Sequence, residues 1–220
     1  DDFMSSYAAL CALPEMTKLS DDSQNTFLMM QNGTTHNVMM LQEPQYEPEM
    51  VVDNTEYDTA HEDRFTFEGR TVHADTPFQM AHYHCIMTAF LQLGSWFDLL
   101  REQGVYDNTR IILVSDHGFS LDLFPDMQFG EKDGQRTEHN PEDAAGYNPL
   151  LLVKDFDGKG FTVDRRFMTN ADTPILAFDG LLDNPVNPFT GKVISSAKDL
   201  EEFHVFYTDI TDPWRNNGNT

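Results

Sequence analysis

The chain has 220 residues, with 37 acids against 14 Lys and Arg and a formal net charge of -23. That length suffices for one sizeable core or a domain with an appendage. The charge repels phosphate backbones and anionic membrane surfaces, so nucleic acid is not an expected partner. Apolar residues at 40% and aromatics at 12% are too many for a disordered acidic tail, and the scattered acids read as a solvated surface. No apolar run approaches the ~18 residues of a spanning helix. The start Asp1-Asp2 is not that of a signal peptide, so the chain as it stands is expected to be soluble.

In chain order, Phe3 to Leu19 reads as helical, with Tyr7, Leu10, Cys11 and Leu13 near one face and Pro14 as a break or new start. Thr26-Phe27-Leu28-Met29-Met30 reads as a short buried strand, followed by the polar turn Asn32 to His36. Gln42 to Thr76 is rich in Pro, acids and Tyr without sustained periodicity, a long excursion of the kind that forms functional covers or insertions. Pro77 opens a strong helix: Met80, Tyr83, Ile86, Met87, Phe90, Leu93, Phe97 and Leu100 recur at three- and four-residue steps, and Gly104 stops it. Cys11 and Cys85 both fall in apolar helical patterns, which favours two buried free thiols over a disulfide.

Arg110-Ile111-Ile112-Leu113-Val114-Ser115-Asp116-His117-Gly118 carries the most chemistry. Its apolar run without polar alternation suits a strand buried on both faces of a parallel sheet. In open α/β sheets ligands gather just beyond the carboxyl ends of such strands. There Asp116 offers a hard oxygen and His117 a ring nitrogen, half of a transition-metal site. An acidic, glycine-bearing loop runs from Phe119 to Asn148. Pro149 to Val153 reads as another buried strand, Thr173 to Phe178 as a short helix, and Phe203 to Thr208 as an edge or antiparallel strand. Strands separated by helices define an α/β class.

The order of these segments resembles the sulfatase-like branch of the alkaline phosphatase superfamily, closest to lipoteichoic-acid-synthase-like proteins. The residues that carry the resemblance are Thr34-Thr35-His36, Leu93-Gly94-Ser95-Trp96-Phe97-Asp98, Gly104-Val105-Tyr106-Asp107-Asn108-Thr109 and Ser115-Asp116-His117-Gly118. Asn148-Pro149-Leu150-Leu151-Leu152-Val153, Asn170-Ala171-Asp172-Thr173-Pro174 and Asn187-Pro188-Phe189-Thr190-Gly191-Lys192 follow. The match spans roughly Thr26 to Tyr207. It implies a partial alkaline-phosphatase-like sheet sandwiched by helices, with a small antiparallel element near the C-terminus. Residues 1–220 would form the carboxyl-terminal part of a catalytic domain whose upstream part, with the nucleophile and one more carboxylate ligand, is absent.

The implied parent is a metal-dependent hydrolase or a phosphoglycerol- or phosphoethanolamine-type transferase acting on sulfate or phosphate esters. Its substrate would be an anionic ester such as a lipid headgroup or glycan. Asp116 and His117 would hold a divalent metal (Mn, Mg, Zn or Ca), and His36 would contact the transferred group. Such a metal lowers the pKa of a bound hydroxyl and neutralises charge on equatorial oxygens, while an imidazole donates a proton or hydrogen bond. The resemblance also implies an extracytoplasmic, membrane-anchored parent. The pattern departs at Asn37-Val38, where relatives commonly continue Glu-Pro. With no nucleophile segment the isolated chain is expected to be inactive, and missing strands would expose an edge that invites self-association. The alternative is a non-catalytic structural or binding module, a degenerate relative that keeps the Asp-His pair.

Other features read more simply. Thr34 and Thr35 follow an expected strand, but turn hydroxyls usually bond local backbone, so neither is taken as a nucleophile. His82 and His84 point about 200° apart on a helix and cannot share one ion, which favours structure or solvent exposure. His139, beside Glu138, offers only a weak hint of a site role. Asp155 to Gly160 lacks the acids of a calcium loop and fits a tight glycine turn.

Overall fold

The computed structural model describes residues 2–21, 24–124, 128–129 and 142–194. The chain divides into two compact units, Asp1–Thr162 and Val163–Thr220. The architecture is mixed α/β, with a few short antiparallel strand pairs among several helices.

In the first unit, α1 (Asp2–Cys11) and α2 (Leu13–Met16) are separated at Ala12, with Pro14 in the first turn of α2. Proline is pre-set for a first turn and cannot serve a helix interior, so a new start replaces a break. Phe3 and Leu10 are buried, and Tyr7 stacks on Phe3 with ring centroids 5.8 Å apart. Cys11 is exposed, so of the two thiols expected to be buried only Cys85 is. Both are free.

The long helix α4 (Pro77–Glu102) follows α3 (Thr55–Ala60) and the hairpin β1 (Thr66–Phe67) with β2 (Arg70–Thr71). Its start is fixed by a capping box: Gln79 N–H donates to Thr76 Oγ1, and the Gln79 side chain accepts from Thr76 N–H. Its stop is Gly104, at φ +72°, a left-handed conformation that glycine adopts without Cβ strain. The buried residues of α4 are Ala81, His82, His84, Cys85, Thr88 and Leu100, all but the last small or polar. Of the expected stripe Leu100 is buried, Met80, Tyr83, Met87, Leu93 and Phe97 lie less deep, and Ile86 and Phe90 are exposed. Close approach explains this: α1 and the segment around Leu41 pack directly on the small residues. The core there is Phe3, Leu41, Tyr46 and Cys85, flanked by Tyr7, Val38, Met39, Tyr83 and Met87.

The excursion from Gln42 to Thr76 is folded around one side chain. Asn54 accepts from Glu43 N–H (2.9 Å) and from Gln42 Nε2 (2.8 Å), and its own Nδ2 donates to the Leu41 carbonyl (2.9 Å). These bonds satisfy buried backbone groups that a loop would otherwise leave unanswered.

Strand β3 (Ile111–Val114) pairs with β6 (Leu151–Lys154), Ile111 opposite Lys154 and Val114 opposite Leu151. The pairing is antiparallel, which corrects the expected parallel arrangement. Among the described residues this sheet has two strands, and Val114 and Val153 are exposed rather than buried on both faces. The apolar run marks strand-forming residues, but burial requires covering layers that local sequence does not specify. Thr26–Met30 forms neither strand nor helix, and Phe27 and Met29 are 72% and 84% exposed, against the expected buried strand.

The remaining pair in this unit is β4 (Gln128–Phe129) with β5 (Glu142–Asp143), antiparallel, followed by a 3-10 turn over Ala144–Tyr147. In the second unit a 3-10 turn (Asn170–Asp172) leads into α5 (Thr173–Phe178), where the short helix is expected. Asp172 is buried and accepts from Thr169 N–H and Oγ1. An isolated bridge joins Val186 to Val193. The expected strand at Phe203 to Thr208, and His139 with Glu138, lie outside the described residues.

Candidate metal centre

The candidate site begins where the β3–β6 ladder ends. Ser115 N–H donates to the Leu150 carbonyl (3.0 Å), and Leu150 N–H donates to Ser115 Oγ (2.7 Å). The sheet register is therefore held through Ser115, and Asp116 is the first residue beyond it. The other end of the ladder is tied down by Arg110, whose guanidinium meets Asp155 at 2.8 Å. That bond holds the Asp155 carboxyl below its usual range. Gly158 N–H closes a tight turn onto the Asp155 carbonyl, as expected for this segment.

Asp116 and His117 stand side by side in solvent, with side chains 88% and 60% exposed. Asp116 Oδ1 accepts from the adjacent His117 N–H (3.0 Å), which orients the carboxylate. His117 Nδ1 lies 2.5 Å from the Gly118 carbonyl. A carbonyl can only accept, so Nδ1 carries the proton, and in the neutral ring Nε2 presents its lone pair. That lone pair faces Asp116 Oδ2 at 3.8 Å.

The geometry suits a cation. Bonds of about 2.0–2.2 Å to nitrogen and oxygen let one ion span donors up to about 4 Å apart. A ligating histidine usually spends its other N–H on a carbonyl, as His117 does here. The residues present therefore fit two positions of a metal's coordination shell.

Gly118 is required by close approach. A Cβ there would fall 1.8 Å from the Ala145 carbonyl oxygen, and Gly118 N–H donates to the Gly146 carbonyl (3.0 Å). The turn carrying Asp116 and His117 is thus pressed against the 3-10 turn at Ala144–Tyr147.

His36 is placed differently. It is exposed in the turn Thr34–Asn37, and its N–H donates to the Gly33 carbonyl. The described residues contain no cluster of three or more His, Cys, Asp or Glu side chains disposed to hold a metal, so His36 does not join Asp116 and His117 in one. Thr34 is 1% exposed and its Oγ1 has no hydrogen-bond partner, which leaves that hydroxyl out of reach of a substrate. A cavity of about 300 Å³ lies against the C-terminal half of α4, lined by Pro14, Thr17, Leu19, Leu99, Leu100 and Gln103, with no candidate site residue in its wall.

Sequence reasoning missed a buried polar cluster. His84, fully buried, accepts from Leu41 N–H through Nδ1 (3.0 Å), so its proton sits on Nε2, 3.7 Å from Glu43 Oε1. Glu43 is also buried and lies 3.6 Å from Arg64, which pairs with Asp58 and stacks over Tyr57 and Phe65. Burial raises the Glu43 pKa against the opposing field of Arg64, and burial lowers that of His84 to about 4. His82 is buried too, packed against Phe78 and Phe119. The signal available was the pair of histidines on α4; their partners are too distant in sequence to be read from spacing.

No family model matches the chain, and no curated protein and no solved structure matches it either. Among the described residues no helix is long and apolar enough to cross a membrane.

Proposed function

We infer that the chain is part of a metal-dependent, sulfatase-like enzyme, a hydrolase or a phosphoglycerol- or phosphoethanolamine-type transferase working on sulfate or phosphate esters. The observation that carries this reading is the paired presentation of Asp116 Oδ2 and His117 Nε2 at 3.8 Å, at the end of a strand, with Nδ1 committed to a carbonyl. Mixed carboxylate and imidazole donors favour Mn²⁺ or Zn²⁺ over Mg²⁺ or Ca²⁺, which prefer all-oxygen shells. The cation, when bound, would polarise an ester oxygen and offset charge gathering on the transferred group. Asp116 and His117 would fix its place, and His36, on its exposed turn, would hydrogen-bond the transferred group or protonate the leaving oxygen.

On this reading the alkaline-phosphatase-like sheet is completed by strands that bring the nucleophile and a further carboxylate. The exposed apolar side chains at Phe27, Met29, Val114 and Val153 are the surface those strands would cover. The parent is then extracytoplasmic and membrane-anchored, with an anionic lipid headgroup or glycan as substrate. A strongly acidic chain can serve such a substrate because a local metal reverses the field inside a cleft. The competing reading, a non-catalytic module, draws on the same geometry, in which this chain supplies two donors of the about four that a stable site uses.

Ester hydrolysis separates the two. The 220-residue chain with added Mn²⁺ is expected to cleave no phosphodiester, phosphomonoester or sulfate ester. A longer gene product that includes the upstream segment is expected to do so, and Asp116→Ala is expected to abolish it. A longer product that stays inactive while folded and metal-bound would support the module instead.

A further inference from the structure

The turn that carries Asp116 and His117 does not hang from the end of β3 alone. The first two turns of α4 grip it. Phe119, two residues beyond His117, has its ring centroid 4.4 Å from that of His82 and 5.8 Å from that of Phe78, and Phe78 meets His82 edge-on at 4.7 Å. Gln79, whose backbone and side chain close the capping box, also donates through Nε2 to the Leu121 carbonyl at 2.6 Å. On its other flank Gly118 is pressed against Ala145 and Gly146.

His82 is the unusual member of this clamp. It is 4% exposed, and its Nε2 is buried without a hydrogen-bond partner. An unanswered buried nitrogen costs stability, and burial lowers this imidazole's pKa, so the ring is held neutral. What the position contributes is a flat ring, one corner of a three-ring cluster with Phe78 and Phe119, set against the residue that follows the metal turn.

We propose that His82 is a positioning residue: with Phe78 it clamps Phe119, and so holds the turn in the form where His117 Nδ1–H meets the Gly118 carbonyl and Nε2 faces Asp116. The inference rests on the cation reading given above. Without the clamp Phe119 is released, the backbone at Gly118 relaxes, and His117 loses the carbonyl that selects its tautomer. The cation then meets a nitrogen that is not preset for it.

Imidazole ¹⁵N spectra of the full chain report which nitrogen of His117 is protonated, with no metal needed. The wild-type chain is expected to show the Nδ1–H form, and His82→Ala a mixture of both tautomers. His82→Phe keeps a flat ring and is expected to keep the wild-type spectrum. Mn²⁺ affinity is expected to fall about tenfold in His82→Ala and to change less than about twofold in His82→Phe. Phe119→Ala cuts the clamp from the loop side and is expected to reproduce His82→Ala, which covers the case in which the latter does not fold. Folded His82→Ala or Phe119→Ala protein with an unchanged His117 tautomer overturns the proposal. A longer gene product, with the upstream segment, that shows no Mn²⁺ affinity removes the cation reading instead, and the tautomer comparison then decides the clamp by itself.

Discussion

At the scale of single residues, buried titratable groups make the stability of this chain depend on pH in a direction that can be worked out. His84 is held neutral with a pKa of about 4, because burial disfavours its charge and Nδ1 already accepts from Leu41 N–H. In the unfolded chain a histidine titrates near about 6.5. Between those values the unfolded state binds a proton that the folded state does not, so stability is full above about pH 6.5 and is lost as pH falls toward about 4. The loss reaches on the order of 3 kcal/mol. Glu43 has a raised pKa, so its contribution runs the other way: present at low pH and lost as pH rises through its folded value. Urea denaturation from pH 4.5 to 7.5 is expected to show the acid loss, with a shallower slope in His84→Gln; equal slopes in both proteins would remove this explanation. The thiols give a simpler contrast. Exposed Cys11 should react promptly with a thiol reagent, whereas Cys85, buried and with its pKa pushed up by burial, should react only on unfolding. Apolar patterning predicts both as buried, because periodicity identifies a helix face without saying whether anything covers it. That Asp116 and His117 stand together just beyond a strand end was legible from the apolar run before them. Glu43 and His84 were not, because their meeting depends on how a loop folds over a helix.

At the scale of elements, α4 was read closely: its expected start at Pro77 and stop at Gly104 bracket the observed Pro77–Glu102. Proline, a capping threonine and a glycine act locally, so sequence suffices to find them. Thr76→Ala should cost about 1 kcal/mol through loss of the cap, measured by thermal or urea denaturation. The strands were less legible. Ile111–Val114 is a strand as expected, yet its partner runs antiparallel, and pairing direction is set by contacts far along the chain. Thr26–Met30 has strand-like composition but no strand, since a ladder needs a second chain segment to supply its hydrogen bonds. The folded excursion from Gln42 to Thr76 escapes periodicity altogether, because it is organised by the Asn54 amide rather than by an apolar stripe. Gly118→Ala tests the coupling between strand end and site. Its Cβ would overlap the Ala145 carbonyl, so the substitution is expected to destabilise the chain by about 1–3 kcal/mol and to weaken cation binding with it. A variant with unchanged affinity would show that the turn is set by something other than this contact.

At the scale of the whole molecule, two tendencies oppose each other. A net charge of -23 keeps copies apart, while exposed Phe27, Met29, Val114 and Val153 favour association. Salt screens the first and leaves the second, so sedimentation velocity should show more self-association at about 0.5 M salt than at low salt. The same charge sets the background for any metal measurement, because so acidic a surface attracts divalent cations diffusely. The decisive measurement is therefore an Mn²⁺ titration of the full chain beside Asp116→Ala and His117→Ala, followed by electron paramagnetic resonance at moderate salt. One saturable site, weakened about tenfold or more in each variant, is the predicted result. Diffuse, salt-sensitive binding that is the same in all three proteins would contradict it.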